Sequence, residues 1–227
     1  MDAERQIEIS RAALRTIGER CPRLAKMCYW AGTAAIAIEE LHHRQSFDLD
    51  FHTREALYDI RPILAEIRAA FPGTFELVTA PDEFGSGFQG ILALPDDERI
   101  TIEVLSNYED VPASDLVDAE TSPCIKRVSL LRYLADKVQC VAERVEARDL
   151  VDILFVLRKS PGLEASARRL LAEQDAVLLV ERLQGWSDRA IEDDLLAYDD
   201  VSADDAREAR DLLLQWITAN VAEDLQP

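Results

Sequence analysis

Asp48 and Asp50, in Arg44-Gln45-Ser46-Phe47-Asp48-Leu49-Asp50-Phe51, are the residues of this chain whose type and spacing point most directly to chemistry. In an extended strand successive side chains take opposite faces. The spacing turns Phe47, Leu49 and Phe51 towards a core and sends both carboxylates to the other side. Two carboxylates so placed repel unless a cation lies between them, because each raises the pKa of the other. Oxygen ligands on a strand suit Mg²⁺, which is held by one or two carboxylates together with substrate phosphates. A half-buried edge strand with two solvated aspartates would carry the same residues, so the neighbours decide. Upstream, Ala31-Gly32-Thr33 follows a short apolar run and precedes a helix-like one. Phosphates can meet backbone N–H groups at such a turn.

Glu103 is the next candidate. In Ile100-Thr101-Ile102-Glu103-Val104-Leu105 the apolar residues alternate with Thr101 and Glu103. On its own this is a solvent-facing strand residue. Beside the Asp48/Asp50 strand it becomes a third carboxylate, and three carboxylates around Mg²⁺ suit nucleotidyl transfer. That reaction depends on positioning and charge neutralisation more than on covalent help. A further constellation is Lys137 with Glu143-Arg144-Val145-Glu146-Ala147-Arg148-Asp149-Leu150-Val151-Asp152. On a helix Arg148 and Asp152 face together, which as a surface pair is worth only about 0.2–0.5 kcal/mol. A functional reading puts Lys137 on triphosphate oxygens and has Asp149 orient it.

The elements that must carry these residues follow from periodicity. Ile7, Ile9, Ala13, Leu14 and Ile17 give an amphipathic helix over about 3–20, ended by Cys21-Pro22. Residues 27–31 read as a buried strand, and Thr33 as the cap of a helix through Leu41. After the aspartate strand, Thr53 reads as the cap of a helix bearing Ala56, Leu57, Ile60, Leu64 and Ile67, stopped by Pro72-Gly73. Strands are expected at 74–79, 88–94 and 99–105, joined by hairpin loops. Phe84-Gly85-Ser86-Gly87-Phe88-Gln89-Gly90 matches G-x-G-x-x-G but lacks a helix after it, so it reads as a hairpin turn. From Ser129 onward every stripe is helical. Val145 is expected on the apolar face of the second of these helices, and further segments at 163–184, 188–197 and 203–222 follow. The expected class is α/β (α+β): a mixed sheet flanked by helices over 1–125, then a helical region over 126–227.

Composition narrows the possibilities. The 227 residues are 48% hydrophobic, enough for a filled core. No apolar run approaches the ~20 residues of a membrane span. The start, Met1-Asp2-Ala3-Glu4-Arg5, has no signal-peptide character, so a cytoplasmic protein is expected. Cys21, Cys28, Cys124 and Cys140 lack metal-site spacing and read as reduced thiols. His42, His43 and His52 are too weakly patterned for zinc. The net charge of −19 disfavours non-specific nucleic-acid binding. It is uneven, with net −11 over 173–227 and net +3 over 126–159, so an RNA substrate is not excluded.

Tyr29-Trp30-Ala31-Gly32-Thr33-Ala34-Ala35 through His43-Arg44-Gln45-Ser46-Phe47-Asp48-Leu49-Asp50-Phe51 resembles the opening motif of the AbiEii/AbiGii nucleotidyltransferase-toxin family. There a Gly-Gly-Thr-Ala-Leu turn leads, after a helix, to His-Arg-x-Ser-x-Asp-x-Asp-Phe. Leu134-Ala135-Asp136-Lys137-Val138-Gln139 and Arg148-Asp149-Leu150-Val151-Asp152-Ile153 resemble that family's Lys and Arg-Asp-x-x-Asp motifs. The resemblance covers roughly residues 25–160. It implies a nucleotidyltransferase core followed by helices. It implies that Gly32 and Thr33 lie against nucleotide phosphates, that Asp48 and Asp50 hold Mg²⁺, that Lys137 contacts phosphate and that Asp149 completes the site. Arg44 and Ser46 match motif positions and would brace the aspartate loop; Glu103 as a metal ligand rests on the strand pattern alone. Ala31 stands where the family has its first glycine, and Ala35 where it has leucine.

The expectation is therefore a Mg²⁺-dependent transferase that moves a nucleoside monophosphate from an NTP to an acceptor hydroxyl. The resemblance implies a toxin of a toxin–antitoxin or phage-defence pair, with tRNA or other RNA as acceptor and a cognate antitoxin as partner. Two alternatives stand beside it: a catalytically weak NTP-binding module acting through a protein partner, and a transferase with a small-molecule or protein acceptor.

Overall fold

In the computed structural model, which describes residues 3–46, 48–144 and 146–224, the chain divides into two compact units, Met1–Ser129 and Leu130–Pro227. Phe47 and Val145, both assigned to apolar faces above, lie outside the described residues.

The first unit is built on a seven-stranded sheet. Its strands are β1 (Cys28–Ala31), β2 (Leu49–Ala56), β3 (Phe75–Thr79), β4 (Gly87–Ala93), β5 (Arg99–Asn107), β6 (Leu116–Asp118) and β7 (Lys126–Val128). Their order is β3-β4-β5-β2-β1-β7-β6. The pairs β2–β5 and β1–β7 are parallel, and the other four are antiparallel. Helices α1 (Ala3–Arg20), α2 (Pro22–Met27), α3 (Gly32–Ile36) and α4 (Arg61–Ala70) belong to this unit, with α1, α2 and α3 packed on its central strands. This is the mixed α/β class that the pattern of stripes implies.

Alternation sets the two faces of the sheet. In β2, Leu49, Phe51 and Thr53 are buried while Asp50, His52 and Arg54 are half-buried. In β5, Ile100, Ile102 and Val104 are buried while Thr101, Glu103 and Leu105 are half-buried. Each buried Leu, Ile or Phe side chain contributes about 1.5–3 kcal/mol. All four residues of β1 are buried, as expected of a strand with a neighbour on either side and an apolar run for its sequence.

Local expectations fail at Thr53 and at Thr33. Thr53 is not a helix cap. Its hydroxyl donates to the Glu55 carbonyl (2.7 Å) and accepts from the Asn107 N–H (3.0 Å), which keeps β2 extended to Ala56 and delays α4 to Arg61. Thr33 lies inside α3, and Ala31 takes the N-cap position. The helix does run through Leu41, but its last five residues, Ala37–Leu41, form a wider π-helical turn that closes at left-handed His42. Cys21-Pro22 ends α1 and also starts α2, because proline's missing N–H costs nothing in a first turn. The Glu66 carboxylate accepts from the N–H groups of Arg23 (2.9 Å) and Leu24 (2.8 Å) and caps that short helix. The glycine-rich stretch is the β3–β4 connection: Gly85 has φ +70, while Gly87 lies in β4.

The second unit is helical: α5 (Leu130–Glu143), α6 (Ala147–Lys159), α7 (Glu164–Ala172), α8 (Ala176–Gly185), α9 (Asp188–Leu195) and α10 (Ala203–Asp224). The stripe over 163–184 is two helices, because the Asp175 carboxylate accepts from the Leu178 N–H (3.0 Å) and begins α8 anew. Ser187 caps α9 in the same way. Part of the core joins Ala147 and Val151 of α6 to Ile191, Leu195 and Ala206. Among the described residues no helix is long and apolar enough to cross a membrane.

Candidate active site

The Gly32 turn opens the site in the sheet unit. Gly32 has φ +69, a left-handed conformation that costs an L side chain about 1–2 kcal/mol. Space is tight as well, since a Cβ at Gly32 would overlap the Asp50 carboxylate and force it to move. Ala31, by contrast, has φ −104 and ψ −169, ordinary extended backbone. Its methyl group is no strain on the turn, so the departure from a double glycine is tolerated. Thr33 follows, buried, and its hydroxyl accepts from Arg44 Nη2 (2.9 Å). Arg44 thus ties the segment entering β2 back to the start of α3.

Asp50 and Glu103 face each other across neighbouring strands. The parallel register pairs Asp50 with Glu103 directly, and the antiparallel register on the other side pairs Asp50 with Ala31. Asp48 is exposed just before β2, and Ser46 is half-buried in the same approach. Burial pushes the Glu103 carboxyl above its ordinary pKa, and the negative charge of Asp48 pushes it further. Among the described residues no group of three or more His, Cys, Asp or Glu side chains is gathered closely enough to hold a metal ion. Mg²⁺ needs only one or two protein carboxylates when substrate phosphates supply further oxygens. The Asp50–Glu103 pair, with Asp48 close enough to be felt by Glu103, fits that requirement.

Lys137 and Asp149 meet in the helical unit. Lys137 Nζ donates to Asp149 Oδ1 (2.6 Å) and is paired with Asp152 Oδ2 (2.8 Å). The lysine side chain is 9% exposed and both aspartates are 0% exposed. Arg144 Nε reaches the other oxygen of Asp149 (3.2 Å). Burial alone would lower the lysine's pKa, but Asp152 and Asp149 outweigh it and the net shift is upward. Lys137 is thus held as an ammonium ion. The helical pairing of Arg148 with Asp152 suggested by spacing is replaced: Arg148 bonds Glu146 and the Tyr198 hydroxyl, and Asp152 serves Lys137.

Three contributors escaped the sequence reading. Asp152 was read as a motif position and an Arg148 partner, not as a partner of Lys137. The Glu39 carboxylate accepts from the N–H groups of Glu120 (3.0 Å) and Thr121 (2.8 Å) and from Arg127 Nε (2.8 Å), while Arg127 Nη2 reaches Glu40 (2.9 Å). This buried knot fastens the π-helical turn to β7. Gln89 lies opposite Glu103 on β4. Period-two alternation in β4 could have flagged Gln89, but nothing local marks its partner.

Known proteins bear on this geometry. The family model described as Nucleotidyl transferase AbiEii toxin, Type IV TA system, matches residues 32–220. No curated protein matches the chain. Among solved structures, JHP933 from Helicobacter pylori superposes with a TM-score of 0.55 at 19% identity, covering 96% of this chain and 94% of that one. MenT4, a nucleotidyltransferase toxin from Mycobacterium tuberculosis H37Rv, superposes with a TM-score of 0.55 at 14% identity, covering 96% of this chain and 86% of that one. At such identities the superpositions establish a shared fold, while the family match spans most of the sequence. With the glycine turn and the facing carboxylates in place, the chain belongs to the AbiEii family of nucleotidyltransferase toxins.

Proposed function

We propose that this nucleotidyltransferase moves a nucleoside monophosphate from an NTP to an acceptor hydroxyl of RNA, tRNA included, with Mg²⁺, and that a cognate antitoxin restrains it. The observation that carries the reading is the facing pair Asp50–Glu103 beside the left-handed Gly32 turn. Asp48, Asp50 and Glu103 would hold Mg²⁺, which neutralises triphosphate charge when bound. The N–H groups at the start of α3, with Thr33 braced by Arg44, suit phosphate oxygens. The acceptor oxygen bonds to the α-phosphorus as the α–β bridging bond breaks. Pyrophosphate leaves, and a site carboxylate takes the hydroxyl proton. For Lys137 and Asp149 the support is the motif resemblance together with the ammonium form of the lysine. Two of its three N–H donors are engaged by Asp149 and Asp152.

Incubation of wild-type protein and Asp50→Asn with each labelled NTP and total RNA tests the reading. Labelling should appear with the wild type and vanish in the variant; equal labelling by both removes Asp50 from the site. The net charge of −19 favours a second reading, in which the acceptor is a small molecule or a protein. Transfer to RNA should weaken steeply as salt rises, whereas transfer to an uncharged acceptor should not.

A further inference from the structure

One level of the sheet carries a row of partners across five strands. The registers align Ala31 with Asp50, Asp50 with Glu103, Glu103 with Gln89 and Gln89 with Thr79, from β1 through β2, β5 and β4 to β3. Direct cross-strand partners share a face of the sheet. In β4, Phe88 and Gly90 are buried and Gln89 is half-buried, on the side that Glu103 takes. An open groove of about 270 Å³ begins at Glu103 and is lined by Thr79, Asp82, Ser86, Gln89 and Leu105 among others. Gly87 lines it too, and a Cβ there would strike the Leu105 side chain. Asp82 is already engaged, accepting from the Ser86 N–H (2.8 Å) and hydroxyl (2.7 Å). The Gln89 carboxamide has no hydrogen-bond partner among the described residues.

Displacement at phosphorus places the attacking and leaving oxygens roughly in line, on opposite sides. Pyrophosphate leaving over the Gly32 turn, at the β1 end of the row, requires the acceptor to arrive from the β4 end. No described residue lining the groove is Lys or Arg, and Asp82 and Glu103 are both carboxylic. Such walls offer a phosphate no cationic side chain to pair with. A carboxamide both donates and accepts, as a hydroxyl does, so the two are complementary.

We propose that this groove is the acceptor subsite, that it takes an uncharged hydroxyl-bearing end of the acceptor, and that Gln89 binds that group and selects among acceptors. The proposal rests on the transferase reading above. Its test compares wild-type protein with Gln89→Ala and Gln89→Lys. Transfer from labelled NTPs to total RNA is measured, with calorimetry of each NTP with Mg²⁺ and a melting curve for each variant. Gln89→Ala should raise the acceptor KM or lower transfer about tenfold, the cost of one lost hydrogen-bonding side chain, with NTP affinity unchanged. Gln89→Lys should lose at least as much. Transfer by Gln89→Ala equal to wild type overturns the proposal. So does a parallel loss of NTP affinity, which would give the groove to the nucleotide, and so does a gain in Gln89→Lys, which would mark an anion site. If Gln89→Ala fails to fold, Gln89→Met is read in its place. Wild-type protein that labels no RNA removes the transferase-to-RNA reading itself, a result distinct from any of these.

Discussion

The sheet unit and the helical unit each gather acidic side chains, and they treat them in opposite ways. In the helical unit Asp149 and Asp152 are fully buried and answered by Lys137 and Arg144, so two negative charges meet two positive ones. In the sheet unit Glu103 has no ion-pair partner among the described residues, and burial and Asp48 both disfavour its charge. Burying an ion is tolerable only when its charge is met. The helical cluster has that charge built in, whereas Glu103 has no cationic side chain paired with it among the described residues. A sequence shows acidic residues in both places; only the partners distinguish a closed cluster from a receptive one.

The contrast can be broken by substitution. Lys137→Met should cost most, about 3–5 kcal/mol of stability in urea unfolding, because it strands two buried carboxylates. Adding Asp149→Asn and Asp152→Asn to it should recover much of that loss. If the single variant is as stable as wild type, the cluster is not the closed pair of charges described. Asp50→Asn should do the reverse, leaving the urea midpoint almost unmoved while transfer falls roughly 10²–10³-fold, the usual scale for removing one charge-stabilising group. Gly32→Ala comes next, losing about 1–2 kcal/mol through left-handed strain, and more where its methyl group displaces Asp50. NTP affinity should fall with it, and calorimetry that finds affinity intact would take the turn out of phosphate binding. Arg158→Ala is the small end of the scale. Its exposed pairs with Asp205 and Glu208 should be worth no more than about 1 kcal/mol in the same unfolding assay.

The sequence made some of this legible and hid the rest. Leu49-Asp50-Phe51 announces a strand with Asp50 on its polar face because alternation is a local property of extended backbone, while Asp48, read as part of that strand, lies just before it. Helices α1, α5 and α6 are equally plain, since an apolar stripe at helical spacing needs no distant partner. Thr53 misled because a threonine's hydroxyl serves a helix cap or a strand bulge equally well. Asn107, 54 residues away, settled which. Strands β6 and β7 were invisible, being three residues each and strands only by pairing with each other and with β1. Asp152 was legible as acidic and helical, but its partner was misassigned because the i, i+4 rule sees one helix at a time.

By itself, then, the chain's order of residues determined the class of fold, the glycine turn, the acidic strand and the lysine and aspartate motifs, all of which depend on neighbours a few positions apart. Tertiary structure alone decided that Glu103 faces Asp50, that Gln89 stands beyond it, and that Lys137 is already paired. Those are matters of strand register and helix packing. A shift of one residue in either would turn the same side chains to another face without altering any local signal.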